Sequence, residues 1–118
     1  MEASASTSSW RCLADALRPG QAAGFQLQQN GTVVAGFMVN HEGRHHAYVN
    51  RCPHAGTPLD WWPNEFFTAD GLSLICATHG AVFDPDTGIC TEGPCPGAGL
   101  EPLRVKRDGE WLVVTCLT

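Results

Sequence analysis

Alternating and apolar segments predict antiparallel β-strands over the first part of the chain. Trp10 to Leu13 predicts a short strand, and Asn30-Gly31 predicts a hairpin turn just after Phe25-Gln-Leu27. The apolar, partly β-branched run Val33 to Val39 predicts another strand, and His45 to Asn50 predicts its partner after an intervening turn. Together these segments indicate antiparallel strands joined by turns.

The C-terminal segment predicts a further hairpin. Leu103 to Lys106 alternates between apolar and basic residues, Asp108-Gly109 is a turn signal, and Trp111 to Thr115 is mainly apolar. Between the two β regions, residues 52–101 hold six of the eight prolines, which is typical of turns and not of long helices. We therefore expect an all-β protein whose base of strands, from residues 10–50 and 102–116, carries an inserted lobe over about residues 51–101.

Length and composition limit the organisation to one domain. A chain of 118 residues is too short to give two cores enough buried surface. Residues 1–9 are mostly Ser, Ala and Thr, without a basic start or an apolar run, so we expect a disordered tail followed by a single domain over residues 10–118. No segment is long and apolar enough for a membrane span, and we expect a soluble, cytoplasmic protein.

The charge is distributed unevenly along the chain. No lysine or arginine occurs from Cys52 to Leu103, while this stretch contains seven of the twelve acidic residues. A negative field of this kind would steer a partner with a basic docking surface; the alternative is an acidic surface that only aids solubility. Nothing in the sequence resembles a nucleic-acid-binding surface.

Two short cysteine–histidine segments carry the candidate chemistry. They are Cys52-Pro53-His54 and Cys76-Ala77-Thr78-His79, separated by 21 residues, and each combines one thiolate with one imidazole. A zinc finger usually takes two cysteines from one knuckle and two histidines from another. Mixed pairs instead suit a two-iron cluster whose ends differ, with thiolates on one iron and imidazoles on the second. A structural zinc-binding module remains the alternative from a different class.

The sequence resembles the Rieske [2Fe-2S] ferredoxins. The similarity continues from the second knuckle through Gly80-Ala-Val-Phe-Asp-Pro-Asp-Thr-Gly88 to Gly93-Pro94-Cys95-Pro96, and it covers nearly all of the chain from Trp10 onward. It implies the Rieske fold, an antiparallel β-sandwich or barrel base with an inserted, loop-rich cluster-binding lobe. It also implies a Rieske-type [2Fe-2S] cofactor. The ligands that it implies are Cys52, His54, Cys76 and His79.

Two positions after the second knuckle assign the chain to one branch of that family. High-potential members have a serine and a tyrosine where this chain has Ala81 and Phe83, and they carry two further cysteines whose places are taken here by Gly56 or its neighbours and by Ala77. The resemblance is therefore to the low-potential electron carriers of ring-hydroxylating oxygenase systems. We expect a one-electron carrier, not itself an enzyme, between a flavin reductase and a terminal oxygenase. The alternative is a subunit-like domain of the nitrite-reductase small-subunit type.

Several features outside the ligands have simpler expected roles. The proline-rich loop 93–97 matches the cover that this family places over its cluster. The aromatic linker segment 61–67 predicts either a satellite core beside the cluster or a docking surface. His41, His45 and His46 are expected to be solvated turn residues, and the segment 84–88 is expected to form a turn. The remaining cysteines are predicted to be packed thiols, not disulfides, because the N-terminus gives no sign of export: Cys12, Cys90, Cys95 and Cys116.

Overall fold

The computed structural model describes residues 9–29, 31–53, 56–60, 64–76, 80–93 and 96–116, and its strands form two antiparallel sheets. The strands are β1 (Trp10–Leu13), β2 (Ala22–Gln29), β3 (Thr32–His41), β4 (Arg44–Val49), β5 (Leu74–Ile75), β6 (Val82–Phe83), β7 (Cys90–Glu92), β8 (Pro102–Asp108) and β9 (Trp111–Thr115). Within these ranges no helix is long and apolar enough to cross a membrane. The all-β prediction is confirmed.

A tight turn fixes the register of the β3–β4 hairpin. The β3–β4 hairpin pairs His41 with Arg44, so its turn consists of Glu42 and Gly43, which both have positive φ angles of 55° and 90°. This is the pattern of a two-residue turn whose twist matches that of the strands. The sequence predicted a tight turn between these two strands, and the pairing extends beyond the predicted strand ends to His41 and Arg44.

The base is a six-stranded sheet in the order β1-β9-β8-β4-β3-β2. It curls so that its edge strands approach each other, and Trp10 of β1 stacks on Phe25 of β2 with ring centroids 4.5 Å apart. The resulting barrel is filled by apolar side chains, with Cys12 and Cys116 packed at its margin. The buried members of this barrel core are Phe25, Leu27, Met38, Ala47, Leu103, Leu112 and Val114.

Strand β3 is buried on both of its faces. Every residue from Gly36 to Asn40 is buried, although successive side chains of a strand point to opposite sides. Met38 faces the barrel core, while Phe37 and Val39 belong to a second core that lies under the inserted lobe. The continuous apolar run of β3 therefore has a structural reason, since the strand forms the wall between two cores.

The inserted lobe contains a small sheet in the order β5-β6-β7. Its strands are only two or three residues long, and turns and loops make up most of the rest, as the proline content predicted. The lobe packs on the base through aromatic rings: Phe66 stacks on Phe37 with centroids 4.1 Å apart and an interplanar angle of 8°. Phe66 and Phe67 thus belong to the core between base and lobe, not to a separate satellite core.

A turn of the lobe is fastened to β4 by a buried phenol. The carbonyl oxygen of Asp84 accepts a hydrogen bond from the Gly88 amide, which closes the predicted turn over residues 84–88. The hydroxyl of Tyr48 donates a hydrogen bond of 2.7 Å to the carbonyl oxygen of Pro85 at the centre of this turn. Burial of the Tyr48 ring raises the pKa of its hydroxyl to about 12.

The same turn is held to the β3–β4 hairpin by Asp86. Its Oδ2 accepts a 2.7 Å hydrogen bond from Arg44, and its Oδ1 lies 3.0 Å from His41 Nδ1 and 3.1 Å from His46 Nε2. The hydrogen bond from Arg44 is the main reason why the pKa of Asp86 lies well below its usual range. One carboxylate therefore joins the lobe to both strands of the hairpin.

Replacing Asp86 should make the stability of the protein less dependent on acid pH. Because its pKa is lower in the folded than in the unfolded chain, Asp86 stabilises the fold above about pH 4, and this contribution is lost as the pH falls below that value. Asp86→Asn should lower the free energy of unfolding at pH 7 by about 1 kcal/mol. Its unfolding free energy should also fall less than that of the wild type between pH 5 and pH 2, as measured by urea denaturation.

Glu42→Gln is the matched control for this measurement. Glu42 contacts the same guanidinium, at 3.3 Å, but does not reach the lobe. Its removal should leave both the stability and its pH dependence close to those of the wild type. Equal pH profiles for Asp86→Asn and the wild type would show that the carboxylate does not couple lobe and base.

Candidate metal centre

The first knuckle is a closed five-residue turn that begins at a buried cysteine. The carbonyl oxygen of Cys52 accepts a 2.8 Å hydrogen bond from the Gly56 amide, and the Cys52 amide donates a 2.8 Å hydrogen bond to the carbonyl oxygen of Thr57. Gly56 has a φ angle of +73°, a conformation that costs glycine little. Cys52 itself is only 1% exposed.

The second knuckle is closed by the same pair of backbone hydrogen bonds. The carbonyl oxygen of Cys76 accepts a 2.8 Å hydrogen bond from Gly80, and the Cys76 amide donates one of 2.8 Å to the carbonyl oxygen of Ala81. Gly80 has a φ angle of +72°, and Cys76 is fully buried. In both loops the cysteine, the glycine four residues later and the residue after that glycine have equivalent places.

The two loops have the same length but differ in where the histidine stands. Each turn has the same length between cysteine and glycine, but the histidine stands two residues after Cys52 and three residues after Cys76. His54 and His79, with Ala55, Ala77 and Thr78, lie outside the described residues. What the structure describes is therefore the cysteine half of the predicted ligand set, together with the backbone hydrogen bonds that close each loop.

The two cysteines lie in one buried core. This lobe core contains both knuckle cysteines and the aromatic and aliphatic side chains that separate them from solvent. Its members are Phe37, Val39, Tyr48, Cys52, Leu59, Phe66, Phe67, Leu74, Cys76, Ala81, Phe83, Cys90 and Leu100. Two thiols at equivalent positions of twin loops, enclosed by apolar walls, are a suitable setting for a soft metal that must be shielded from water.

The third loop of the lobe presses against the second knuckle. Gly93 has a φ angle of +101°, and a Cβ atom there would lie 2.8 Å from the Cα atom of Ala81 and 3.2 Å from the carbonyl oxygen of Gly80. Only a residue without a side chain allows this approach. Pro94 and Cys95, the centre of the predicted cover, lie outside the described residues, but the base of that loop is in contact with the knuckle.

The sequence predicted that the histidines of the β3–β4 hairpin would be solvated turn residues, but the structure shows them in contact with other parts of the chain. His41 and His46 contact Asp86 and so join hairpin to lobe, and the side chain of His41 is only 13% exposed. His45 points away from them; burial, with a smaller effect of the Arg107 charge, lowers its pKa. In the described part of the chain no group of three or more histidine, cysteine or acidic side chains could hold a metal ion. The long-range contacts to Asp86 could not be read from the hairpin sequence alone.

The other described thiols are buried in a core or half-buried beside one. Cys90 is buried in the lobe core, and its sulfur lies 3.2 Å from the carbonyl oxygen of Glu92. Cys12 and Cys116 are half-buried beside the barrel core, and burial raises the pKa of the Cys12 thiol. Of the aromatic linker, Phe66 and Phe67 are buried, whereas Trp61 and Trp62 lie outside the described residues.

The described residues fit a cluster that takes one thiolate from each loop. Both sulfurs are enclosed, and a thiolate is the ligand that iron–sulfur clusters require. One buried polar atom beside the first knuckle, the hydroxyl oxygen of Thr57, finds no hydrogen-bond partner among the described residues. An unsatisfied hydroxyl inside a protein calls for a partner that the described residues do not supply.

Comparison with known proteins yields one family and a consistent set of structures. The ferredoxin of carbazole 1,9a-dioxygenase from Nocardioides aromaticivorans IC177 is 29% identical, with a TM-score of 0.68 over 91% of this chain and 96% of that one. The ferredoxin of Sphingomonas yanoikuyae B1 has the same fold at 22% identity, with a TM-score of 0.65 over 91% of this chain and 97% of that one.

A third solved structure shares the fold as well. It comes from a complex of reduced oxygenase and oxidized ferredoxin in carbazole 1,9a-dioxygenase, at 22% identity and a TM-score of 0.67 over 89% of this chain and 97% of that one. No curated protein sequence matches this chain significantly. The Rieske [2Fe-2S] domain matches residues 8–107. With its twin knuckles and barrel base, the chain therefore belongs to the Rieske [2Fe-2S] domain family, and its cofactor is a Rieske-type [2Fe-2S] cluster.

Proposed function

We propose that this protein is a one-electron carrier that delivers electrons to a terminal oxygenase, with Cys52, His54, Cys76 and His79 as the cluster ligands. The observation that carries the proposal is the equivalence of the two knuckles, which gives each loop one buried cysteine at the same position. The bound cluster takes up and releases one electron. The similarity to the ferredoxin of a carbazole dioxygenase supports an oxygenase as acceptor, and a flavin reductase is the donor that we propose.

The polypeptide encloses the cysteine sulfurs. The apolar side chains of the lobe core exclude water from the cysteine sulfurs, and the third loop adds backbone against the second knuckle. We propose that the protein acts as a component of a multicomponent oxygenase system and is not itself an enzyme, which the similarity to an oxygenase ferredoxin supports.

Iron content and EPR spectra test the ligand assignment. Anaerobically purified protein should contain two iron atoms per chain and show the absorption and EPR spectra of a mixed nitrogen and sulfur ligand set. Cys52→Ser and Cys76→Ser should each abolish these signals, because each removes a thiolate. Cys90→Ser is the matched control: Cys90 is also buried in the lobe core, and its replacement should leave the iron content unchanged. A colourless protein containing zinc would contradict the proposal.

The contact between Gly93 and the second knuckle should control how long the cluster survives. Gly93→Ala places a methyl group against backbone atoms that cannot move aside cheaply, so it should cost about 1–3 kcal/mol of stability and speed the loss of visible absorbance in air.

Gly97→Ala is the matched control for Gly93→Ala. Gly97 also has a positive φ, +87°, but a Cβ atom there would meet nothing within 4 Å. The two variants therefore share the backbone strain and differ only in the contact. Equal rates of cluster loss would show that this contact does not protect the cluster.

The acidic surface of the lobe suits a partner with a basic docking surface. Glu65, Asp70, Glu92 and Glu101 are exposed, and among the described residues Asp86 is the one lobe carboxylate with an ion-pair partner. Such a surface attracts cations and repels anions over distances of about 10 Å at moderate salt. We propose that it orients the oxygenase.

Small redox probes test this field without the natural partner. The reduced protein should be oxidised faster by hexaammineruthenium(III), a cation, when salt is low, and its oxidation by ferricyanide, an anion, should show the opposite salt dependence. Glu65→Gln combined with Glu92→Gln should weaken both trends. Glu110→Gln, at the far turn of the base, should not. Rates with the two probes that change with salt in the same direction would rule out a field of this kind near the cluster.

A further inference from the structure

Thr57 combines a buried hydroxyl with a position at the end of the first knuckle. Its carbonyl oxygen accepts the hydrogen bond from the Cys52 amide, so the residue lies directly across the loop from that cysteine. Its side-chain oxygen is buried, and it has no hydrogen-bond partner among the described residues. A hydroxyl buried without a partner costs about 1–3 kcal/mol, so its presence needs a cause.

The twin geometry of the knuckles gives Thr57 a counterpart. The residue that closes the second loop in the same way is Ala81, whose carbonyl oxygen accepts the hydrogen bond from the Cys76 amide. Ala81 is fully buried and has no hydroxyl to satisfy. The two loops are thus alike in backbone but not in side chain, and the first one alone offers a hydroxyl at this position.

Three acceptors around the first knuckle are already engaged. The carbonyl oxygen of Cys52 accepts from Gly56, that of Thr57 accepts from Cys52, and the side-chain oxygen of Asn50 accepts from the Leu59 amide. Because no described residue bonds the buried Thr57 hydroxyl, we look for its acceptor in the bound cluster. A sulfur atom that carries negative charge is such an acceptor.

We propose that the Thr57 hydroxyl donates a hydrogen bond to a sulfur atom of the bound cluster, and thereby favours the reduced state. The inference rests on the proposed function, because it needs the cluster at the knuckles. The bond withdraws electron density from the sulfur, and no proton is transferred. Since reduction adds one negative charge, the hydrogen bond is stronger after reduction, and it raises the reduction potential.

A hydrogen bond from Thr57 changes the reduction potential that the sequence predicts. The absence of hydroxyls at Ala81 and Phe83 predicts a low reduction potential, whereas Thr57 supplies one hydrogen-bond donor on the opposite loop. Thr57 is therefore a tuning residue: it holds the potential above the value that the two knuckles would give with aliphatic residues at both closing positions. Its effect is on the equilibrium between the oxidised and reduced protein.

Redox titration of the cluster-loaded protein tests this role. Thr57→Val keeps the shape of the side chain and removes the hydroxyl; it should favour the oxidised form about fivefold, a shift of about 40 mV to more negative potential at 59 mV per factor of ten. Thr57→Ser keeps the hydroxyl and should keep the potential. Thr91→Val is the control, because Thr91 lies in the same lobe but its hydroxyl already bonds the carbonyl oxygen of Val82.

The outcomes separate this inference from the proposed function. A wild-type protein without the expected EPR signal overturns both. An intact signal in Thr57→Val with an unchanged potential overturns only the role of Thr57 and leaves a water molecule as its partner. If Thr57→Val does not retain the cluster, Thr57→Ala takes its place in the titration, and a potential equal to that of Thr57→Ser overturns the role of Thr57.

Discussion

The structure depends on one strand that is shared by two cores. From Gly36 to Asn40 strand β3 is buried on both faces, with Met38 in the barrel and Phe37 and Val39 under the lobe. A chain of this length could not enclose two separate cores if each needed its own complete wall. Sharing β3 solves this problem, and it makes the packing of the lobe conditional on the barrel. The cysteines of the knuckles lie in the core that exists only when β3 is in place.

The lobe itself is built from turns and short strands, so long hydrogen-bonded ladders do not hold it. Three of the contacts that hold it against the base are the stacking of Phe66 on Phe37, the bond from Tyr48 to the turn at Pro85, and the link from Asp86 to the β3–β4 hairpin. All three join the lobe to β3 or β4 or to the turn between them. The knuckles are thus positioned by the most deeply buried part of the base, which suits a site that must keep two loops in fixed register.

The sequence predicted the base well because its signals are local. Turn residues and apolar runs fixed the terminal hairpin and the hairpin of β3 and β4, and the cysteine–histidine pairs indicated the family. The strands of the lobe have no periodicity that could be recognised, since two residues do not define an alternation. The contact of His41 with Asp86 spans 45 positions, and no pattern around either residue indicates it.

The core assignment of Phe66 and the burial of the Thr57 hydroxyl likewise depend on how distant segments meet. Composition showed that the linker is too apolar to stay in water, but it could not show which core would receive it. The spacing from cysteine to histidine differs between the two knuckles, and their backbone hydrogen bonds reveal that both loops are closed in the same way. The local sequence therefore identifies the types of ligand, whereas the structural similarity of the two loops is visible only in the fold.

The stacking of Trp10 on Phe25 has a consequence for how the molecule fluctuates. β1 and β2 are the two edges of the base sheet, so at this seam the barrel is closed by the contact of side chains and not by a ladder. Opening there breaks fewer hydrogen bonds than opening anywhere between paired strands, and local unfolding starts where such bonds are fewest. Strand β1 can therefore move away from β2 while it stays paired with β9. The barrel can open at this seam while β3 and β4, which support the knuckles, stay paired.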